Sequence, residues 1–224
     1  MTANQFFVPL IADGAERISL EGDEHRHLAR AARVRAGEEI WLFDGRGRRC
    51  HARVEKVTRD RTDVVVLETE EPESPRARIA LAACLVESKK LETILEKAVE
   101  LGCADFVPVV SARSLRASGE RTDRKLERWR RIAREAAKQC KARLLTEVHP
   151  PRPLKDVLTA AAPRPEGPPV RVLLLVGPKG GWTAGEEREI RQAGFEAVSL
   201  GRRILRAETA ALAGAAMIAH FWNE

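Results

Sequence analysis

Along the first part of the chain, apolar residues fall in short runs broken by turn residues. Phe6 to Leu10, Arg17 to Leu20, Glu39 to Phe43, Cys50 to Val57 and Asp63 to Leu67 have the length and alternation of half-buried strands. Asp44-Gly45 followed by Arg46-Gly47 predicts a hairpin between the third and fourth of them. One short helix interrupts the series, with Asp23 as its cap and Leu28, Ala31 and Ala32 as its apolar face. Strands this short close most naturally into a small β-barrel. The acidic stretch from Glu68 to Arg78, with Pro72 and Pro75, reads as a linker. The chain therefore divides into a first domain over 1–70, a linker over 71–78 and a second domain over 79–224.

From Ile79 the pattern alternates between continuous apolar runs and helical stripes, which signals an α/β domain with a parallel sheet. Ile79 to Val86 and Phe106 to Val110 read as strands. Leu91, Ile94, Leu95, Ala98 and Leu101 share one face of a helix that Gly102 ends. A longer helix over Arg121 to Lys141 carries Leu126, Trp129, Ala133, Ala136 and Cys140 as its stripe. Pro150 to Pro169 reads as a connector with one small helix at Leu154 to Ala162. Val170 to Val176 is apolar on both faces and predicts a strand in the middle of the sheet. Phe195 to Leu200 predicts another strand, and Thr209 to Phe221 an alanine-rich helix.

The predicted Val170 to Val176 strand runs into Gly177-Pro178-Lys179-Gly180-Gly181, after which Thr183 and Glu186 form a capping box and Gly194 ends the helix. Gly201 opens a second loop, up to Glu208. Two strand–glycine–loop units at one end of a sheet are where α/β proteins bind ligands, because glycine lets backbone N–H groups approach them. Two tight turns with glycines for geometry alone fit the same residues. The spacing matches neither G-x-G-x-x-G nor the phosphate loop of nucleoside triphosphatases.

Composition narrows the function classes. Of 224 residues, 44% are hydrophobic and 32% charged, a globular profile. No apolar run approaches the ~18 residues of a membrane span, and Met1 to Leu10 lacks the order of a signal peptide. Cys50, Cys84, Cys103 and Cys140 are far apart, with no histidine at metal spacing, which predicts free thiols, no metal and a cytoplasmic location. His25 and His27, two residues apart, read as surface or motif residues. A net charge of +6 favours a polyanionic partner. The helix with Arg128, Arg131 and Lys138, and a cluster with Arg30, Arg33, Arg35, Arg46, Arg48 and Arg49, suit phosphate contact, although a solvated face would look the same. Aromatic residues make up only 4%, so shape and charge outweigh base stacking.

Leu174 to Glu186 (L-L-V-G-P-K-G-G-W-T-A-G-E) and Ser199 to Ala210 (S-L-G-R-R-I-L-R-A-E-T-A) resemble the ribosomal RNA uridine-N3 methyltransferase (RsmE) family of the SPOUT superfamily. Lys90 to Gly102, Arg113-Ser114, Arg128-Trp129 and Gln139-Cys140 add to the likeness. So do His27-Leu28 through Arg33, Ala36-Gly37-Glu38 and Leu42-Phe43-Asp44-Gly45 in the first domain. The resemblance implies a PUA-like RNA-binding β-barrel followed by an α/β SPOUT domain tied in a trefoil knot. It implies a homodimer that uses S-adenosylmethionine to methylate N3 of a uridine in 16S rRNA of the 30S particle.

By the same resemblance, Leu174, Leu175, Gly177, Pro178, Gly180, Gly181, Leu200, Gly201, Ile204, Leu205, Thr209 and Ala210 hold the methyl donor, and Arg113 joins the RNA-facing set. Arg206, between the second loop and the last helix, is the candidate for stabilising charge on the uracil carbonyls; capping carbonyls or pairing with Glu208 are its structural alternatives. Glu208 is either a base or a helix-start residue at the positive dipole end. The last helix packs across a dimer or within one subunit. Lys179, Lys138 and Ala112 stand where the family carries glutamate, and Arg143 lies one step from an expected arginine. A non-catalytic RNA-binding or ribosome-assembly protein of the same fold, and a SPOUT methyltransferase for another RNA position, are the competing functions.

Overall fold

A computed structural model of the chain describes residues 4–72, 77–115, 122–161 and 170–223. They form two compact units: Met1–Ser74 with Ala137–Leu145, and Pro75–Ala136 with Thr146–Glu224. No helix among the described residues is long and apolar enough to cross a membrane.

The first unit holds β1 (Gln5–Phe7), β2 (Arg17–Glu21), α1 (Gly22–Arg26), β3 (Glu39–Phe43), β4 (Arg49–Val57) and β5 (Arg61–Glu70). Its sheet runs in the order β1-β3-β4-β5-β2, antiparallel except for the parallel β1–β3 pair. Phe6, Leu20, Ile40, Leu42, Ala52, Val54 and Val64 alternate inward from all five strands and gather with Leu28 and Val34 in one core. The sheet curls around that core. The β3–β4 hairpin forms as the sequence predicts. Asp44 Oδ1 accepts from the amides of Arg46 (2.8 Å) and Arg48 (3.2 Å), and Gly45 takes φ +72°. A Cβ on Gly45 would lie 2.8 Å from that of Leu145, so glycine is required there twice over.

Three expectations for this unit need correction. Asp23 does not cap α1; Glu21 holds the N-cap position without a side-chain bond, and Asp23 pairs with Arg26 one turn on. The helix continues as a π-helical turn over His27–Ala31, which rotates the face: Leu28 is buried, Ala32 half-buried and Ala31 exposed. His25 is not a surface residue. It is buried, with Nδ1 2.9 Å from Thr62 Oγ1 and Nε2 3.1 Å from the Arg59 carbonyl.

The second unit holds β6 (Ala77–Cys84), α2 (Ser88–Glu100), β7 (Asp105–Val110), most of α3 (Thr122–Cys140), β8 (Glu147–Val148), β9 (Arg152–Pro153), α4 (Leu154–Ala160), β10 (Val170–Val176), α5 (Ala184–Gln192) and α6 (Ala207–Asn223). Its sheet is wholly parallel, in the order β10-β6-β7-β8, with β9 also paired to β7. Helices cover both faces. α2 and α6 pack together, α6 against β6 and β10, while α4 lies on β7 beside α5. Leu91, Ile94, Leu95 and Ala98 supply the predicted buried face of α2, and Gly102 (φ +73°) follows its end. The short strands β8 and β9 were not foreseen. Arg121, Pro75 and residues 162–169, named in the sequence reading, lie outside the described residues.

Three expectations fail here as well. Among the described residues β10 is an edge strand, not a central one, because there it pairs only with β6. Its two-sided apolar character has another cause: Leu173 and Leu175 pack with Leu154, Leu158 and Trp182 on one face, and Leu174 meets Gly214 of α6 on the other. Phe195 to Leu200 forms no strand; Phe195 joins the core, but the run gains no ladder partner among the described residues and Val198 stays 79% exposed. Cys140 leaves its predicted stripe and is exposed, whereas Trp129, Ala133 and Ala136 are buried. Burial pushes the thiols of Cys50 and Cys84 up to about 11 and that of Cys103 to about 12, so these three are unreactive at neutral pH.

Asp105 at the start of β7, Glu147 in β8 and His149 just after it bring ligand-type atoms within 4.8 Å of one another. Arg78 already supplies the cation: it forks onto Asp105 at 2.9 and 3.2 Å, while His149 Nε2 lies 3.0 Å from the same carboxylate. Burial raises the Asp105 pKa, but the bonds from His149 and Arg78 outweigh it and hold the group at about 2. A carboxyl depressed from about 3.9 in the unfolded chain stabilises the fold above that value and loses the contribution as pH falls through the folded pKa. Asp105→Asn is therefore expected to cost about 2 kcal/mol at pH 7 and about half as much at pH 3 in urea unfolding. An equal cost at both values would contradict this.

Candidate functional site

In a parallel sheet the loops that follow the strands all leave at one edge. At that edge β7 ends at Val110 and leads into 111–115, and β10 ends at Val176 and leads into 177–183. β6 lies between them in the sheet, so the strand ends that feed the two loops are about 10 Å apart, two strand spacings.

The glycine loop is shaped by its own side chains. Gly181 (φ +69°) closes a turn in which its amide donates to the Pro178 carbonyl at 2.9 Å. The Trp182 indole lies against Gly177, where a Cβ would come within 3.0 Å of the ring. Thr183 caps α5 in the predicted box: its hydroxyl accepts from the Glu186 amide, and Glu186 Oε2 accepts from the Thr183 amide at 2.8 Å. Pro178 is buried, whereas Lys179, Gly180 and Gly181 are exposed at the tip.

The neighbouring turn is tied to this loop. Ser114 Oγ accepts from the Ser111 amide at 2.9 Å and donates to the Ser111 carbonyl, which closes the turn around Ala112 and Arg113. Arg113 Nη1 then donates to the carbonyls of Gly180 (2.9 Å) and Trp182 (3.3 Å), and the Ala112 amide donates to Glu186 Oε1 at 2.8 Å. Partial burial pushes the Glu186 carboxyl up, but the Thr183 and Ala112 amides, with the Thr183 hydroxyl and the Arg113 charge, hold it below the usual carboxylate range. Ala112 thus needs no acid of its own; its backbone uses that of Glu186.

The second loop is more open. Gly201 takes φ +121°, a conformation that side chains rarely allow, and Ser199 Oγ bonds its amide and carbonyl. Leu200, Leu205 and Ala210 are half-buried, and Thr209 and Gly201 exposed, while Ile204 is fully exposed. Leu174 and Leu175, both half-buried, face opposite sides of β10. Arg206 is exposed just before α6; among the described residues its guanidinium meets neither Glu208 nor a carbonyl. Glu208 sits in the first turn of α6.

The basic residues separate into different classes. Arg30, Arg35 and Arg131 are exposed, as is Arg33, which takes a left-handed backbone (φ +54°). Arg128 is held by Glu92 at 2.7 Å, Arg48 by Asp13, and Arg49 by Glu70 while lying 4.3 Å above the Trp41 ring. Lys138 does not belong on a phosphate-facing surface. Its side chain is only 3% exposed, and Nζ lies 3.1 Å from both Glu24 Oε1 and His27 Nδ1.

Residues 72–219 match the RNA methyltransferase domain family, and residues 20–67 match the RNA methyltransferase PUA domain family. The ribosomal RNA small subunit methyltransferase E of Mycobacterium bovis is 32% identical over 94% of this chain and 89% of its own length. That of Bacillus subtilis is 28% identical over 93% of both. The chain belongs to the small-subunit rRNA methyltransferase E family. The fold agrees: the methyltransferase E of Neisseria gonorrhoeae, solved bound to S-adenosyl methionine, superposes with a TM-score of 0.86 at 30% identity, covering 99% of this chain and 98% of that one. Membership in the methyltransferase E family turns the glycine turns from a geometric feature into part of a methyltransferase domain.

Sequence reasoning missed two participants, Trp182 as the cover of Gly177 and Glu186 as a partner of Ala112. The capping-box pattern signals only the local use of Glu186; its bond to a residue 74 positions away has no signature in sequence.

Proposed function

We propose that this chain transfers a methyl group from S-adenosylmethionine to N3 of a uridine in 16S rRNA, within the 30S particle, as a cytoplasmic homodimer. In this reading residues 1–70 engage RNA, residues 79–224 form the SPOUT domain with its trefoil-knotted path, and Arg30, Arg33, Arg35 and Arg131 face phosphates. The observation that carries it is the glycine loop at the C-terminal edge of the sheet, in a chain alike from end to end to a methyltransferase E bound to the donor.

The residues fit that donor. Gly181 and Gly201 open onto free space, and Leu174, Leu175, Leu200, Ile204 and Leu205 offer apolar surface for the adenine and methionine portions, with Gly177, Pro178, Gly180, Thr209 and Ala210 beside them. When bound, the donor supplies an electrophilic sulfonium methyl group. Transfer would form the N3–CH3 bond as the S–CH3 bond breaks, releasing S-adenosylhomocysteine, with the N3 proton passing to solvent and the charge at N3 spreading onto the two uracil carbonyls. Arg206, exposed and without a side-chain partner among the described residues, donates to those oxygens. Glu208, in the first turn of α6, matches the positive end of that helix.

Val198, Ile204, Met217 and Phe221 are 79%, 103%, 62% and 77% exposed, large apolar side chains available for the proposed dimer to cover. Labelled donor incubated with unmethylated 30S particles is expected to mark the rRNA, and sedimentation to give twice the 24.9 kDa chain mass. An unlabelled particle, or a monomer, would contradict the respective part of the proposal.

A further inference from the structure

We propose that Arg113 and Glu186 form a clasp that sets the shape of the glycine loop, so that Arg113 is a positioning residue for the methyl donor and not a phosphate contact. This rests on the donor site proposed above. The two loops follow strands that are not neighbours, and the arginine side chain spans the end of the strand between them. The turn that carries Arg113 is itself fixed: Ser114 closes it, and the Leu115 amide donates to the carbonyl of Leu85, whose own amide is bonded to Val109.

Three features make the clasp more than an incidental surface bond. It acts in two directions, since Arg113 of the 111–114 turn gives to carbonyls of the glycine loop while Glu186, beyond that loop, takes from the turn's backbone. It engages the exposed tip of the loop at Gly180, where glycine leaves the backbone free to turn, and a Cβ on Gly180 would already lie 3.4 Å from Arg113 Cδ. It also fixes where the guanidinium sits: Nη1 is shared between two carbonyls of the glycine loop, which draws the side chain onto that loop. A loop held before the ligand arrives loses less entropy on binding, which raises affinity without touching the ligand.

The test is calorimetry with S-adenosylhomocysteine in the absence of RNA. Arg113→Ala is expected to weaken binding about 10- to 100-fold, the range for losing charge-assisted bonds. Arg113→Lys recovers part of that loss, and Glu186→Gln, which keeps an acceptor, weakens binding less than Arg113→Ala. In turnover, KM for the donor rises while kcat at saturating donor stays within about twofold. Hydrogen exchange of the 177–183 amides accelerates in Arg113→Ala whether or not donor is present. Unchanged donor affinity with weakened RNA binding and a salt slope reduced by about one would overturn the clasp in favour of a phosphate contact. If the wild-type protein binds no S-adenosylhomocysteine, the donor-site reading fails, and unchanged exchange in Arg113→Ala then overturns the clasp separately.

Discussion

Replacing Arg206 with alanine is expected to slow methyl transfer by about 100- to 1,000-fold, the effect of removing one donor aimed at developing negative charge. Donor affinity should change less than about twofold, because cofactor recognition falls to the glycine loops. The structure sharpens this expectation. A guanidinium that capped the carbonyls of α6 or paired with Glu208 would have a structural task, and among the described residues Arg206 has neither partner. Its loss should therefore leave the fold intact, which thermal unfolding of the variant checks. Unchanged turnover in Arg206→Ala would remove the residue from the chemistry.

The second large effect concerns stability. Lys138→Ala removes the cation from a buried cluster and leaves Glu24 and His27 without it. Breaking a buried pair by deleting one partner costs roughly 3–5 kcal/mol; Glu24 is 19% exposed and can regain some water, so about 2–3 kcal/mol is expected here. Urea unfolding measures it directly. Wild-type stability combined with a loss of salt-dependent RNA affinity would return Lys138 to the phosphate-contact set.

Lys138 also shows where sequence reading stops. Its place on a basic helix suggested a solvent-facing charge, yet the residue that decides its role, Glu24, lies 114 positions away. The curled sheet and the parallel α/β unit were legible, because alternation and helical stripes are local properties that tertiary packing then uses. The hairpin at Asp44-Gly45 and the box at Thr183–Glu186 were legible for the same reason. β10 was read correctly as a strand and wrongly as a central one: apolarity on both faces reports covering helices, and only pairing with β6 alone shows the edge. Phe195 to Leu200 has the composition of a strand but, among the described residues, no partner to complete a ladder. For the site, motif wording located the two loops, while the link from Arg113 to Gly180 depends on two strand ends brought to one edge of a sheet.

The methylated nucleoside itself identifies the reaction. Unmethylated 30S particles should be incubated with the protein and S-adenosylmethionine, and the rRNA digested to nucleosides for mass spectrometry. The expected product is 3-methyluridine, absent without enzyme and strongly reduced with Arg206→Ala. A 2′-O-methyl nucleoside in its place, or no methylated product from particles verified as substrate, would contradict it.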